Sequence, residues 1–174
     1  PEIDAMRKDV DEMSMMLEDY LAFARGDSGE VAQPTDMAMA LEELRSDAER
    51  HGHTATVAFH GLPVVTVKPA SFKRCLANLV SNAARHANTI SITGQRDHRY
   101  LNITIDDDGP GIPADMREEV FKPFLRLDDA RNQDEGGSGL GLAIARDIAR
   151  SHGGDILLSE SPMGGLRAAV RVPV

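Results

Sequence analysis

The sequence predicts an α/β fold: a two-layer sandwich whose mixed sheet carries helices on one face, with a further helix standing apart at the N-terminus. Short apolar runs of strand length alternate with three helical patterns over residues 31–174. Two of the strand pairs lie close enough in the chain to be hairpins, and strands interleaved with helices point to a layered sheet. Residues 3–24 instead repeat their apolar positions in steps of three and four.

In that first segment Ile3, Met6, Val10, Met13, Leu17, Tyr20 and Ala24 form the seam of a helix that wants a partner, or that packs on its own domain. The run Arg25-Gly26-Asp27-Ser28-Gly29 breaks the helix and reads as a linker, so the chain divides into a helix at 1–25, a linker at 26–30 and a domain at 31–174. A short strand is predicted near Val31, followed by a helix from Met37 to His51 with Asp36 at its N-cap. Strands follow at 54–59 and 64–67, a second domain helix from Pro69 to Ala87, and strands at 89–93 and 100–106. A helix from Leu140 to His152 and strands at 156–159 and 166–172 complete the pattern. No internal repeat or low-complexity tract interrupts it.

With 174 residues and 41% hydrophobic content the chain can bury a core, but aromatics are 4% and tryptophan is absent. The interior must rest on Leu, Ile, Val, Ala and Met. A net charge of −9 argues against nucleic-acid or anionic-membrane binding, so an anionic ligand needs local help. The one cysteine, Cys75, has no internal partner, which fits a reducing compartment. No signal peptide or membrane-spanning run is present. The chain opens on Pro1 inside a helical pattern, and is expected to be the cytoplasmic part of a longer protein anchored in a membrane.

Three stretches carry chemistry. In "CLANLVSNAARHA" Asn78, Asn82, Arg85 and His86 share one helix face, while Leu76, Leu79, Val80 and Ala83 fill the rest of the circumference. Carboxamide oxygens suit Mg²⁺ and a guanidinium suits phosphate, so this face either holds a metal-bound polyphosphate or is simply solvated. In "IDDDGPGIP" a strand ends in carboxylates and turns on Gly109 and Gly111. The acids lack the spacing of a calcium loop. A buried Asp108 would accept a hydrogen bond from the exocyclic amine of adenine, where guanine presents an oxygen; the alternative is an ordinary turn.

In "DEGGSGLGLAI" Gly137, Gly139 and Gly141 lead into a helix whose free N–H groups can meet phosphate oxygens. A dinucleotide fingerprint would place such glycines after the first strand with an acid about twenty residues on, and here they come late. The polar run "LRLDDARNQDEGG" ahead of them reads as a mobile flap.

An asparagine helix, Asp-x-Gly-x-Gly and Gly-x-Gly-x-Gly-Leu in this order resemble the N, G1 and G2 boxes of two-component sensor histidine kinases, within the gyrase, Hsp90, histidine kinase and MutL superfamily. "FKPFLR" sits where that family carries its F box, and "KRCLANLVSNAARHA" is most similar to the osmoregulatory class. The resemblance implies a Bergerat-type ATP-binding fold over 31–174 and makes 1–25 similar to the second helix of a dimerisation and phosphotransfer hairpin.

By the same resemblance Asn82 coordinates Mg²⁺, Asn78 supports the phosphate side, Arg85 contacts phosphate and Asp108 binds the adenine amine. His86 stands where many relatives have tyrosine. Gly109, Gly111 and Ile112 shape the pocket edge. Gly137, Ser138, Gly139, Leu140, Gly141 and Leu142 form the lid's end, with Arg126 and Arg131 as further lid candidates.

ATP-hydrolysing relatives carry a glutamate four residues before the metal-binding asparagine; this chain has Asn78 there, which suits handing phosphate to an acceptor. None of His51, His53, His60, His86, His98 and His152 has the sequence context of the family's acceptor histidine. The resemblance therefore implies a catalytic domain with ATP and Mg²⁺ as cofactors, a homodimeric parent and a response-regulator receiver domain as partner. A nucleotide-binding scaffold and an anti-sigma-type serine kinase are the competing readings.

Overall fold

The computed structural model describes residues 1–25, 29–123 and 140–174. Helix α1 spans Glu2–Arg25, and the domain follows as β1 (Gln33–Asp36), α2 (Met37–Arg50), β2 (Thr54–His60), β3 (Val64–Val67), α3 (Pro69–His86), β4 (Thr89–Arg96) and β5 (Tyr100–Asp107). Two 3-10 turns, Ala114–Met116 and Glu119–Phe121, precede α4 (Gly141–Ser151), β6 (Asp155–Glu160) and β7 (Leu166–Pro173). The predicted elements are all found, displaced by no more than a few residues. The largest displacement is at β1: Val31 is exposed, and pairing starts at Gln33.

The main sheet has the order β2-β4-β5-β7-β6. The pair β2–β4 is parallel and the other three are antiparallel, so the sheet is mixed. A parallel pair needs a long crossover, and β3 with α3 supplies it. Strand β3 does not join that sheet; it pairs antiparallel with β1 in a separate two-stranded ribbon.

Alternation of side chains along each strand sorts the sheet into two faces. Ile90 and Ile92 on β4, Leu101, Ile103 and Ile105 on β5, Val170 and Val172 on β7, and Ile156 and Leu158 on β6 point into the core. Against them lie Leu41 from α2, Phe72, Leu76 and Leu79 from α3, and Ala145 and Ala149 from α4. Among the described residues no helix covers the opposite face, and its central cross-strand row is Ala58, Thr93, Thr104, Ala169 and Leu157. Both layers of the sandwich thus follow from the periodicities of strand and helix.

Local signals fix the helix ends. The Asp36 carboxylate accepts a hydrogen bond from the Met39 N–H at 3.1 Å, capping α2 as expected. Pro69 opens α3, where its missing N–H costs nothing. The next orphan donors of α3 are met from 40 residues away: Glu30 accepts from the N–H of Ala70 at 2.7 Å and of Ser71 at 2.9 Å. Glu30 is thereby bound to the start of α3. His152, just after α4, accepts the Lys68 N–H at Nε2 and donates from Nδ1 to the Ile148 carbonyl, tying the start of α3 to the end of α4.

The single thiol, Cys75, sits at the contact between α3 and α4 and donates to the carbonyl of Ala145 at 3.3 Å. Helix α1 touches the domain at α4, yet Ile3, Met6, Val10, Met13, Leu17 and Tyr20 are all exposed, so its seam is uncovered.

Truncating the fully buried Leu76 to Ala should lower unfolding free energy by about 3 kcal/mol. Asp36→Ala should cost about 1 kcal/mol through the lost cap. Urea unfolding followed by circular dichroism reads both.

Candidate functional site

Helix α3 is the spine of the site. Its buried stripe (Phe72, Cys75, Leu76, Leu79, Val80 and Ala83) fixes the rotation of the helix and turns Asn78, Asn82 and Arg85 to a half-buried position beside α4. The Asn78 carboxamide donates from Nδ2 to the Gly141 carbonyl at 3.3 Å. Arg85 reaches the same residue: a Cβ built on Gly141 would stand 4.0 Å from Nη2. The asparagine helix and the start of α4 are thus in direct contact. Among the described residues no side chain caps that helix start, and Leu140 precedes it as N-cap. Its leading N–H groups are therefore the kind of donors that phosphate oxygens satisfy. Asn82 makes no hydrogen bond to any described residue.

The aspartate loop closes on the other end of α3, where the backbone of Gly109 passes so near the His86 carbonyl that a Cβ there would lie 2.7 Å from the oxygen. Glycine is required by this approach rather than by a turn. The three adjacent acids then divide their work. Asp106 points to the outer face and is gripped by both arms of Arg167, Nε to Oδ1 at 2.8 Å and Nη2 to Oδ2 at 2.9 Å. Asp107 is buried on the helix side, and its Oδ1 accepts from the N–H of Gly109 at 2.9 Å and of Leu166 at 3.1 Å. The Gly165 N–H donates to the Asp107 carbonyl at 3.1 Å. A Cβ on Gly165 would come within 2.2 Å of Asp107 Oδ1, so only glycine lets β7 start there. The second carboxylate oxygen of Asp107 has no hydrogen-bond partner among the described residues.

Asp108 differs from the expectation placed on it. Its side chain is exposed, not buried, and Oδ1 accepts the N–H of Asn88 at 2.9 Å and of Thr89 at 3.0 Å, bracing the start of β4. These two donors, Thr89 first, hold its carboxyl below the ordinary aspartate range. Leu140 also departs from its assignment: its side chain is wholly buried. Ile112 and Leu142 are partly buried and pack against the core. Gly111 has a φ of 72° and lies against the Gly165 carbonyl, and His86 is exposed at the end of α3. Arg126, Arg131, Gly137, Ser138, Gly139 and the stretch read as a flap lie outside the described residues.

The likeness to known proteins fixes first the class and then the relatives. The model of the histidine kinase-, DNA gyrase B- and HSP90-like ATPase family matches residues 67–174, from the last residue of β3 onward, and the chain belongs to that family. Sensor histidine kinase CpxA of Escherichia coli (strain K12) is 32% identical over 181 residues, covering 99% of this chain and 40% of CpxA. Sensor histidine kinase GtrS of Pseudomonas aeruginosa is 32% identical over 95% of this chain and 34% of its own length. The chain thus spans well under half of these relatives.

Among solved structures, the ATP-binding domain of PrrB from Mycobacterium tuberculosis superposes with a TM-score of 0.69 at 27% identity, over 82% of this chain and 96% of that one. Full-length ShkA in complex with AMPPNP has a TM-score of 0.83 at 23% identity, over 99% of this chain and 38% of ShkA, a likeness of fold.

The Asp108 carboxylate should stabilise the fold above the unfolded aspartate pKa of about 3.9 and lose that contribution as pH falls through its lower folded value. Asp108→Asn should therefore flatten the acid limb of the stability curve below about pH 4. Thermal melts across that range, compared with wild type, check it.

Proposed function

We propose that this chain is the catalytic domain of a sensor histidine kinase, binding ATP with Mg²⁺ and handing the γ-phosphate to a histidine carried on a dimerisation hairpin, for relay to a response-regulator aspartate. The observation that carries the reading is the placement of Asp107. It is buried, oriented by two backbone donors, and left with one oxygen unpartnered, the arrangement that accepts an exocyclic adenine amine and repels the oxygen guanine shows at that position. The adenine contact expected at Asp108 accordingly belongs to Asp107.

The donor set suits the metal as well. Mg²⁺ favours hard oxygens and is usually held by one or two protein groups together with substrate phosphates. The unpartnered Asn82 carboxamide supplies such an oxygen, and among the described residues no three His, Cys, Asp or Glu side chains gather into a metal cage. When bound, the metal neutralises charge on the phosphates. Arg85 beside Gly141 adds a fixed positive charge on the same side, and the uncapped start of α4 adds backbone donors. Asn78 is spent on the Gly141 carbonyl and is no general base, so the site positions phosphate for transfer rather than activating water.

Transfer moves the γ-phosphoryl from the bridging oxygen of ATP to an imidazole nitrogen, leaving ADP. The uncovered seam of α1 supports a homodimer formed through a hairpin. No helix among the described residues is long and apolar enough to cross a membrane, and the reading places any anchor elsewhere in the parent protein.

Calorimetric titration should show ATP binding that strengthens with Mg²⁺. Asp107→Asn should weaken it by about 30-fold or more, and Asp108→Asn by about twofold at most. The reverse order would return the adenine contact to Asp108, and absence of binding by the wild type would defeat the reading. Asn82→Ala should remove the gain due to Mg²⁺ while sparing metal-free binding; equal losses would contradict its role.

A further inference from the structure

The segment from Ile112 to Pro123 follows the aspartate loop and packs on α4 as a wall of the domain. Within it Arg117 donates from Nε to the Ile112 carbonyl, Met116 N to Pro113 O, Phe121 N to Glu118 O, and Lys122 pairs with Glu119. Among the described residues, every one of these bonds closes inside the segment. The exception is Arg146, on the second turn of α4. Its Nη1 and Nη2 donate to the two oxygens of Glu118 at 2.7 and 3.1 Å, and its Nε donates to Asp155 of β6 at 3.0 Å. The guanidinium plane covers the ring of the buried Phe121, with Cζ 4.1 Å from the ring centre.

One side chain therefore engages the wall through a fork and a cation–π face while Asp155 fixes its stem end. Lysine has neither the fork nor the flat face. The Arg146 side chain is 14% exposed and lies against Phe121, while the Glu118 carboxylate it holds is open to solvent.

Helix α4 is also the helix whose first residue meets Asn78 and Arg85, five residues before Arg146. We infer that Arg146 is a positioning residue for nucleotide binding: it sets the wall at 112–123 relative to the start of α4, where α3 brings Asn78 and Arg85. This rests on the ATP-binding reading above. Glu118 is its counterpart on the wall, with a side chain that is 71% exposed.

The test is ATP titration by calorimetry for wild type, R146M, R146K and E118Q, each well below its melting transition, with melting of the unliganded proteins recorded alongside. R146M keeps the apolar stem over Phe121 without the charge, and should weaken ATP binding about tenfold; R146K and E118Q should weaken it about threefold. E118Q should melt as wild type does, which separates positioning from a merely structural role. Wild-type affinity in both E118Q and R146M overturns the inference and leaves the ATP-binding reading standing. A loss confined to R146M makes Arg146 a strut between α4 and β6, and overturns it too. Failure of wild type to bind ATP defeats the ATP-binding reading and the inference with it.

Discussion

Two backbone N–H groups, from Gly109 and Leu166, converge on one oxygen of Asp107, and the rest of the site is built around that convergence. It joins the end of β5, the loop after it and the start of β7 at a single atom. A carboxylate in this position is desolvated, and the two donors offset that loss. The constraint travels outward from there. Gly165 must lack a side chain because the carboxylate occupies its space, and Gly109 because the end of α3 occupies its own. On the other face of the sheet, the Arg167 fork on Asp106 fixes the neighbouring residue of the same strand, which leaves Asp107 no freedom to turn.

Helix α3 is shared between two functions that the chain separates widely. Its apolar stripe completes the core under the sheet, and its polar stripe reaches both the aspartate loop and α4. Its first turn is held by Glu30 and, through Lys68, by His152. The residues just before β1 and just after α4 therefore bear on the same helix. Displacement of α3 along its axis would disturb the linker exit, the carboxamides and the aspartate loop together, since close-packed interiors transmit shifts rather than absorb them.

The element plan was legible because it rests on local periodicity: α2, α3, β3 and the α2 cap lie within a residue or so of where pattern and capping place them. The pairing of β3 with β1 rather than with its chain neighbour β2 was not legible, because pairing is settled between distant segments. Within the site, Asn78, Asn82 and Arg85 were legible from helical spacing. The buried aspartate lies one position before the one expected, among three identical residues. Counting back from Gly109 as Asp-x-Gly lands on Asp107, so the signal was present in the glycine spacing. Residue type could not say which acid faced inward, and strand alternation decides it. Gly165 was signalled only by the Gly164-Gly165 pair, whose meaning depends on a carboxylate 58 positions away. Arg146 carried no signal, since a cation on a helix surface is ordinary until its three partners arrive from two other parts of the chain.

The contact between α3 and α4 has a chemical consequence through Cys75. Burial pushes its thiol up to about 12, and its proton is already engaged by the Ala145 carbonyl. At neutral pH the reactive thiolate is scarce, and it lies inside a wall of packed side chains. The native cysteine is thus silent toward oxidants and alkylating reagents while the fold is intact. A cysteine introduced on the bare sheet face, at Leu157 for instance, would be the only thiol to take a label, so spectroscopic probes can be attached without first deleting the native one.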